Sequence, residues 1–267
     1  MDVISLSLFD LTLAAVLVLV LAWIALRQAL GVSRSLVVAA VRTVVQLLLI
    51  GLILEALFEV ATLPLVVGLG VLMVLLAGRE VMARQQRYLK GIWGYGFSTL
   101  AMFVSSFGVT LLALVVLVGA DPWYRPQYAI PLLGMLLGNT MNGVALSLDR
   151  LSSGLHRQRG VIEARLALGA PWQEAVGDVR REAMRAGLIP IINAMAAAGI
   201  ISLPGMMTGQ ILAGTPPIEA VKYQILIMFL IAAGTGFGTL VAVYFGARRL
   251  FDERERLRLD RLAVRKS

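Results

Sequence analysis

Seven stretches of this chain are each apolar over most of the length that a helix needs to cross a bilayer, and no other feature constrains its fold as much. A hydrocarbon core of about 30 Å takes about 20 helical residues. The qualifying segments are 8–26, 36–58, 63–77, 96–118, 128–148, 187–212 and 221–246. They are continuously apolar rather than alternating, which disfavours spanning β-strands. The composition agrees: 59% hydrophobic and 15% charged residues with a mean hydropathy of +0.85, against about 45–50% and about 25% in soluble domains. The predicted fold class is all-α, a polytopic membrane helix bundle of about seven transmembrane helices. The expected division is a transmembrane domain over 1–247 and a charged cytoplasmic tail over 248–267. Segment 63–77 is short and is expected to continue as a helix into the charged stretch 79–90. No basic residue precedes segment 8–26 and no small-residue cleavage site follows it, so it does not read as a secretory signal.

The net charge of +8 is topological. Alternate inter-span segments hold 21 of the 24 Lys and Arg residues, the other set holds 2, and Arg42 lies inside a span. Cytoplasmic segments carry the excess of Lys and Arg, so the N-terminus is expected outside and the C-terminus in the cytoplasm. This distribution removes nucleic acid as a partner. Cysteine is absent and His156 is the only histidine, which excludes disulfides and thiolate sites and nearly excludes a histidine-built metal centre.

The segment 149–186 is long for a membrane protein's loop, and loops of that length are usually functional or disordered. This one has helical patterning. A short run, 161–168, is closed by Gly169, a natural helix stop. Pro171 then opens an amphipathic helix, with Trp172, Ala175, Val176, Val179, Ala183 and Ala186 on one face and Gln173, Glu174, Asp178, Arg180, Arg181 and Glu182 on the other. Glu163, Ala164, Leu168, Gly169 and Ala170, with Trp172 and Pro190 downstream, resemble the EAA-type coupling loop of ABC-transporter permeases. The resemblance implies a short helix that docks on a cytoplasmic ATPase. The third EAA position is Arg165 instead of alanine. An amphipathic loop on the headgroups, or a solvated linker, is the other reading of this segment.

Over nearly all of its length up to the tail, the chain resembles one family, the FetB-like iron-export permeases related to plant aluminium-tolerance permeases. The matching strings are Ala40-Val41-Arg42 with Gln46-Leu47, Gly138-Asn139-Thr140-Met141-Asn142-Gly143, and Pro204-Gly205-Met206-Met207-Thr208-Gly209-Gln210-Ile211-Leu212-Ala213-Gly214. Pro217, Ala220, Tyr223-Gln224 and Met228-Phe229 continue the pattern. The resemblance implies a permease in the bacterial inner membrane, working as a homodimer with a separate ABC ATPase and moving iron or a similar metal outward. The residues agree with a separate ATPase: none of the three lysines follows a glycine, so no Walker A loop is present. The chain is therefore expected to be no enzyme and to bind no cofactor, with ATP held on the partner.

Ionisable and polar groups inside spans are functional candidates by default. Arg42 and Gln46 share a face one turn apart and read either as a gate or as a helix–helix pair. Asn139 and Asn142 either join helices or line a polar path. Glu55 and Glu59, at the outer end of their span, read as an acidic exit for a cation or as ordinary interfacial carboxylates. Pro204, Gly205 and Gly209 loosen the helix around 203–210, and broken spans often mark substrate sites. There Thr208 and Gln210 offer oxygen, and Met206 and Met207 offer soft thioethers. The plainer reading is a packing kink with methionines as gap-fillers. A secondary transporter or channel working without an ATPase is the competing function, although the chain shows one broken span and no matching counterpart. A retinal protein would need a lysine deep in the last span, where only Lys222, near its start, occurs.

Overall fold

The computed structural model describes residues 7–265. Lys266 of the tail lies outside the described residues. Six of the expected segments are single helical runs long and apolar enough to cross a membrane. They are α1 (Leu8–Arg27), α2 (Ser33–Val60), α3 (Leu63–Ala83), the run Ile92–Val118, α6 (Pro126–Arg157) and α11 (Pro217–Arg249). The fourth run comprises α4 (Ile92–Met102) and α5 (Gly108–Leu112), each followed by a π-helical turn, Phe103–Phe107 and Ala113–Val118. The molecule is an all-α membrane bundle.

The expected segment 187–212 is not one helix. It is the upper part of α9 (Gly177–Ala197), a seven-residue break, and the short α10 (Gly205–Leu212). The break falls upstream of the place that the sequence suggested: Gly199 takes φ +82, Pro204 is the extended N-cap of α10, and 205–212 is regular helix. A proline is well tolerated at a helix start, where its missing N–H is not needed. The Ala197 carbonyl accepts from the N–H groups of Ile200, Ile201 and Ser202, so the break satisfies much of its own backbone.

Three helices make the core. α6 and α9 cross with their backbones in near contact, a Cβ on Gly143 falling 2.8 Å from the Gly187 carbonyl oxygen and one on Gly187 falling 2.7 Å from that of Gly143. α11 closes the triangle: a Cβ on Gly238 would meet Thr140 at 2.7 Å. Small residues at such crossings let helices approach in lipid, where no hydrophobic force drives them together. α3 and α4 pack outside this core through Gly78, which sits against Thr99. α1 and α2 form a peripheral hairpin, and Leu57 is the one fully buried residue of α2.

At 32 and 33 residues, α6 and α11 are each about 50 Å long, longer than a bilayer core. Both end in basic turns, His156 and Arg157 on α6 and Arg248 and Arg249 on α11. α3 continues past Gly78 into the charged stretch, as expected, and ends at Ala83; strand β1 (Arg87–Leu89) follows and pairs antiparallel with β2 (Leu262–Val264) of the tail. The tail is thus neither a free helix nor merely solvated. Phe251 is buried in it, Lys90 Nζ donates to the Asp260 carbonyl, and the Gln86 N–H donates to Asp149 on α6.

Candidate functional site

The segment 149–186 contains almost no irregular chain. It is the end of α6, then α7 (Arg159–Ala167), a glycine turn, the single turn α8 (Trp172–Ala175) and the lower half of α9. Gly169 holds φ +89, a left-handed conformation that costs a residue with a Cβ about 1–2 kcal/mol. Its N–H donates to the Leu166 carbonyl and that of Ala170 to the Arg165 carbonyl, closing α7. The turn lifts Leu168 out of the fold, leaving it 89% exposed beyond the membrane-spanning part. Glu163 and Ala164 lie on exposed faces of α7, and Glu163 pairs with Arg159 at 2.7 Å.

The apolar face read from the sequence is buried at Trp172, Ala175, Val176, Val179 and Ala183, although a break at Val176 divides it between α8 and α9. Arg165 has a structural use: it pairs with Asp178 at 2.9 Å and braces α7 against α9. The Arg165 hydrogen bond, with that of Arg181, holds the Asp178 carboxyl below the usual carboxylate range. Behind the turn, the Arg180 guanidinium lies 5.7 Å from the Trp172 ring and 5.5 Å from that of Tyr244 on α11, and Arg248 lies 5.7 Å from Trp172. The Trp172 N–H donates to Glu255 of the tail at 3.0 Å. The projecting turn is therefore fastened to the end of α11.

The polar residues inside the spans fall into two places. On α3, Glu80 and Arg84 stand one turn apart on one face. Glu80 accepts from Arg42 of α2 at 3.1 Å, and Arg84 donates to the Asn142 side-chain oxygen of α6. Arg42, Asn139 and Asn142 are all exposed on the single chain, so a polar seam across α2, α3 and α6 opens outward from the bundle. The Asn139 amide donates to the Met135 carbonyl of its own helix at 2.8 Å; Gln46 is exposed on α2. The sequence placed Glu80 and Arg84 among general cytoplasmic charge, and their spacing of four was the signal that a helical face joined them.

The second place is α10 against α11. Met206 packs on the inner apolar cluster and Met207 is buried; Thr208 donates to the Pro204 carbonyl. Met206 and Gln210 lie four apart on one face. The side-chain oxygen of Gln210 is buried without a partner, and so is that of Gln224, a residue of α11 that is 8% exposed. Gln224 carries no functional signal in the sequence, where an apolar run hides a single amide. Glu55 and Glu59 are exposed near the far end of α2. Among the described residues no group of three His, Asp or Glu side chains converges for a metal ion.

The model of the family described as Uncharacterised protein family (UPF0014) matches residues 8–251 of the chain. The chain belongs to the UPF0014 family. Its UPF0014 relatives span bacteria and plants. It is 39% identical to the UPF0014 membrane protein slr1647 of Synechocystis over 86% of this chain and 88% of that one. Similarity to the Probable iron export permease protein FetB of Escherichia coli is 31% identity over 95% of both chains. The plant Protein ALUMINUM SENSITIVE 3 of Arabidopsis thaliana is 29% identical over 86% of this chain and 82% of its own. No solved structure matches this UPF0014 protein.

Proposed function

We propose that this chain is the permease subunit of an ABC-type exporter of iron or a related metal ion, driven by a separate ATPase that docks on the α7–α8 turn. The observation that carries the ATPase is Leu168. A leucine that is 89% exposed, on a glycine turn clear of the lipid, has neither bilayer nor protein to cover it, and an isolated apolar tip between helices fits a groove on a partner. The clamp of Trp172, Arg180, Tyr244 and Arg248 gives that partner a rigid lever onto α11. The charge excess at this end supports a cytoplasmic docking face in a bacterial inner membrane.

The polar seam supports transport through a pair of chains. Lipid cannot cover exposed Asn142, Arg84 and Arg42 without cost; a second copy of the chain and a wet path between the two would. The named E. coli relative supports iron as the class of cargo. The buried, unpartnered amide oxygens of Gln210 and Gln224 and the Met206 thioether are weak, neutral donors of the kind a transporter needs if the ion is to leave.

The docking test is co-purification with the candidate ATPase. Leu168→Asp is expected to reduce capture by at least about tenfold, as loss of a buried apolar anchor does at other interfaces, while the thermal melting of the permease is unchanged. Equal capture of the variant would contradict the assigned surface.

A further inference from the structure

We infer that this chain carries a binding site for the phosphodiester headgroup of an anionic lipid, in the cavity between the end of α11 and the folded tail. The cavity encloses about 700 Å³, within the range of sites that hold small ligands. Six arginines line it: Arg248, Arg249, Arg254, Arg256, Arg258 and Arg261. Only two carboxylates, Asp252 and Glu253, join them, leaving a formal surplus of four positive charges.

The pairing within the cavity sharpens that surplus. Asp252 is taken by Arg256 at 2.8 Å and by the backbone N–H groups of Arg254 and Arg256. Arg258 is taken by Asp260, at 2.9 Å through each of two nitrogens. Arg261 donates to the carbonyls of Arg249 and Phe251 at 2.6 and 3.4 Å, which fixes the chain reversal after α11. Among the described residues, Arg248, Arg249 and Arg254 make no ion pair with a carboxylate. Three cations are thus gathered without a counter-anion, with Glu253 alone to oppose them.

The choice of a lipid follows from the other wall. Phe97 and Phe245 line the cavity and stack at 6.0 Å between centroids. Phe97 also meets Trp93 at 5.6 Å. Trp93 is 48% exposed at the start of α4 and carries the Arg249 guanidinium 4.4 Å over its ring. Tryptophan beside arginine is the arrangement of a membrane–water boundary. One wall is then aromatic and continues to the exposed Trp93, and the other is basic. Basic pockets of this kind between spans on the cytoplasmic side hold anionic headgroups. A free phosphate would need the arginines but not the aromatic wall.

The test uses the full chain in nanodiscs of phosphatidylcholine with one-tenth phosphatidylglycerol or cardiolipin. The anionic lipid kept through gentle delipidation is counted by native mass spectrometry. The triple substitution R248Q/R249Q/R254Q is expected to cut retained anionic lipid by about tenfold or more, since each arginine near such a surface adds about fivefold in affinity. R248K/R249K/R254K is expected to keep most of it and to show that the fold is intact. R27Q/R34Q, which removes charge at the same membrane end away from the cavity, is expected to have no effect. Unchanged retention in the triple glutamine variant would overturn the proposal. So would displacement of the lipid by millimolar inorganic phosphate, because the site would then be one for soluble anions. None of these readouts depends on an ATPase or on transport.

Discussion

Asp178 is the residue whose charge most directly sets the shape of the projecting α7–α8 turn. Its carboxylate takes hydrogen bonds from Arg165 at 2.9 Å and Arg181 at 2.6 Å, and these lower its pKa from the ordinary value of about 3.9. A carboxyl with a lowered folded pKa favours the folded state above its unfolded value, and that contribution is lost as the pH falls through the folded value. The turn is therefore expected to be insensitive to pH from neutrality down to about 4 and to loosen only on further acidification. Amide exchange across 165–178 would report it. In Arg165→Gln the loosening is expected to begin at higher pH, because the largest cause of the lowering is removed. An Arg165→Gln profile identical to the parent would show that the brace does nothing. The third EAA position was legible in sequence only as a departure from a pattern; its partner lies 13 residues away across the turn, a distance that spacing rules for single helices do not cover.

Among the elements, the crossing of α6 and α9 and the tether of α2 make opposite kinds of prediction. At the crossing, even a methyl group at Gly187 would fall 2.7 Å from a backbone oxygen. Gly187→Ala is expected to cost about 1–3 kcal/mol, read as a lowered melting midpoint in detergent. Gly160→Ala on α7, where nothing lies within 4 Å, is expected to gain about 0.5–1 kcal/mol. α2 is held differently, by the Arg42–Glu80 pair and little burial. Removing one partner leaves the other charge unpaired, so Glu80→Leu alone is expected to lower stability more than Glu80→Leu with Arg42→Leu. A coupling below about 0.5 kcal/mol in that cycle would mean the pair holds nothing. Helix existence was legible for all the long spans, because apolar runs of membrane length admit few alternatives. The break in 187–212 was legible as a break but misplaced by several residues. Proline and glycine mark both the interruption of one helix and the start of the next, and sequence does not say which.

For the whole molecule, six helices long and apolar enough to cross a membrane, the basic excess of alternate inter-span segments and the projecting α7–α8 turn fit the proposed arrangement: a membrane bundle that offers a rigid knob to a cytoplasmic partner. The spans were legible in hydropathy, a property of whole segments. The tail was not, since its charges alternate in sign like those of a solvated stretch, and only the pairing of 87–89 with 262–264 shows that it is folded. Arg42 and Asn142 were legible as candidates but the seam was not, because Glu80 and Arg84 read as part of a charged stretch and the four residues come from three helices. The arrangement is tested most directly by reconstituting the chain in vesicles loaded with ferrous iron, with and without its ATPase, and measuring iron movement after ATP is added to the side carrying the ATPase. Movement that requires the chain, the ATPase and ATP together, and that falls at least about tenfold with Leu168→Asp, is the expected result. Iron movement at the full rate with the chain alone and no ATP would contradict it.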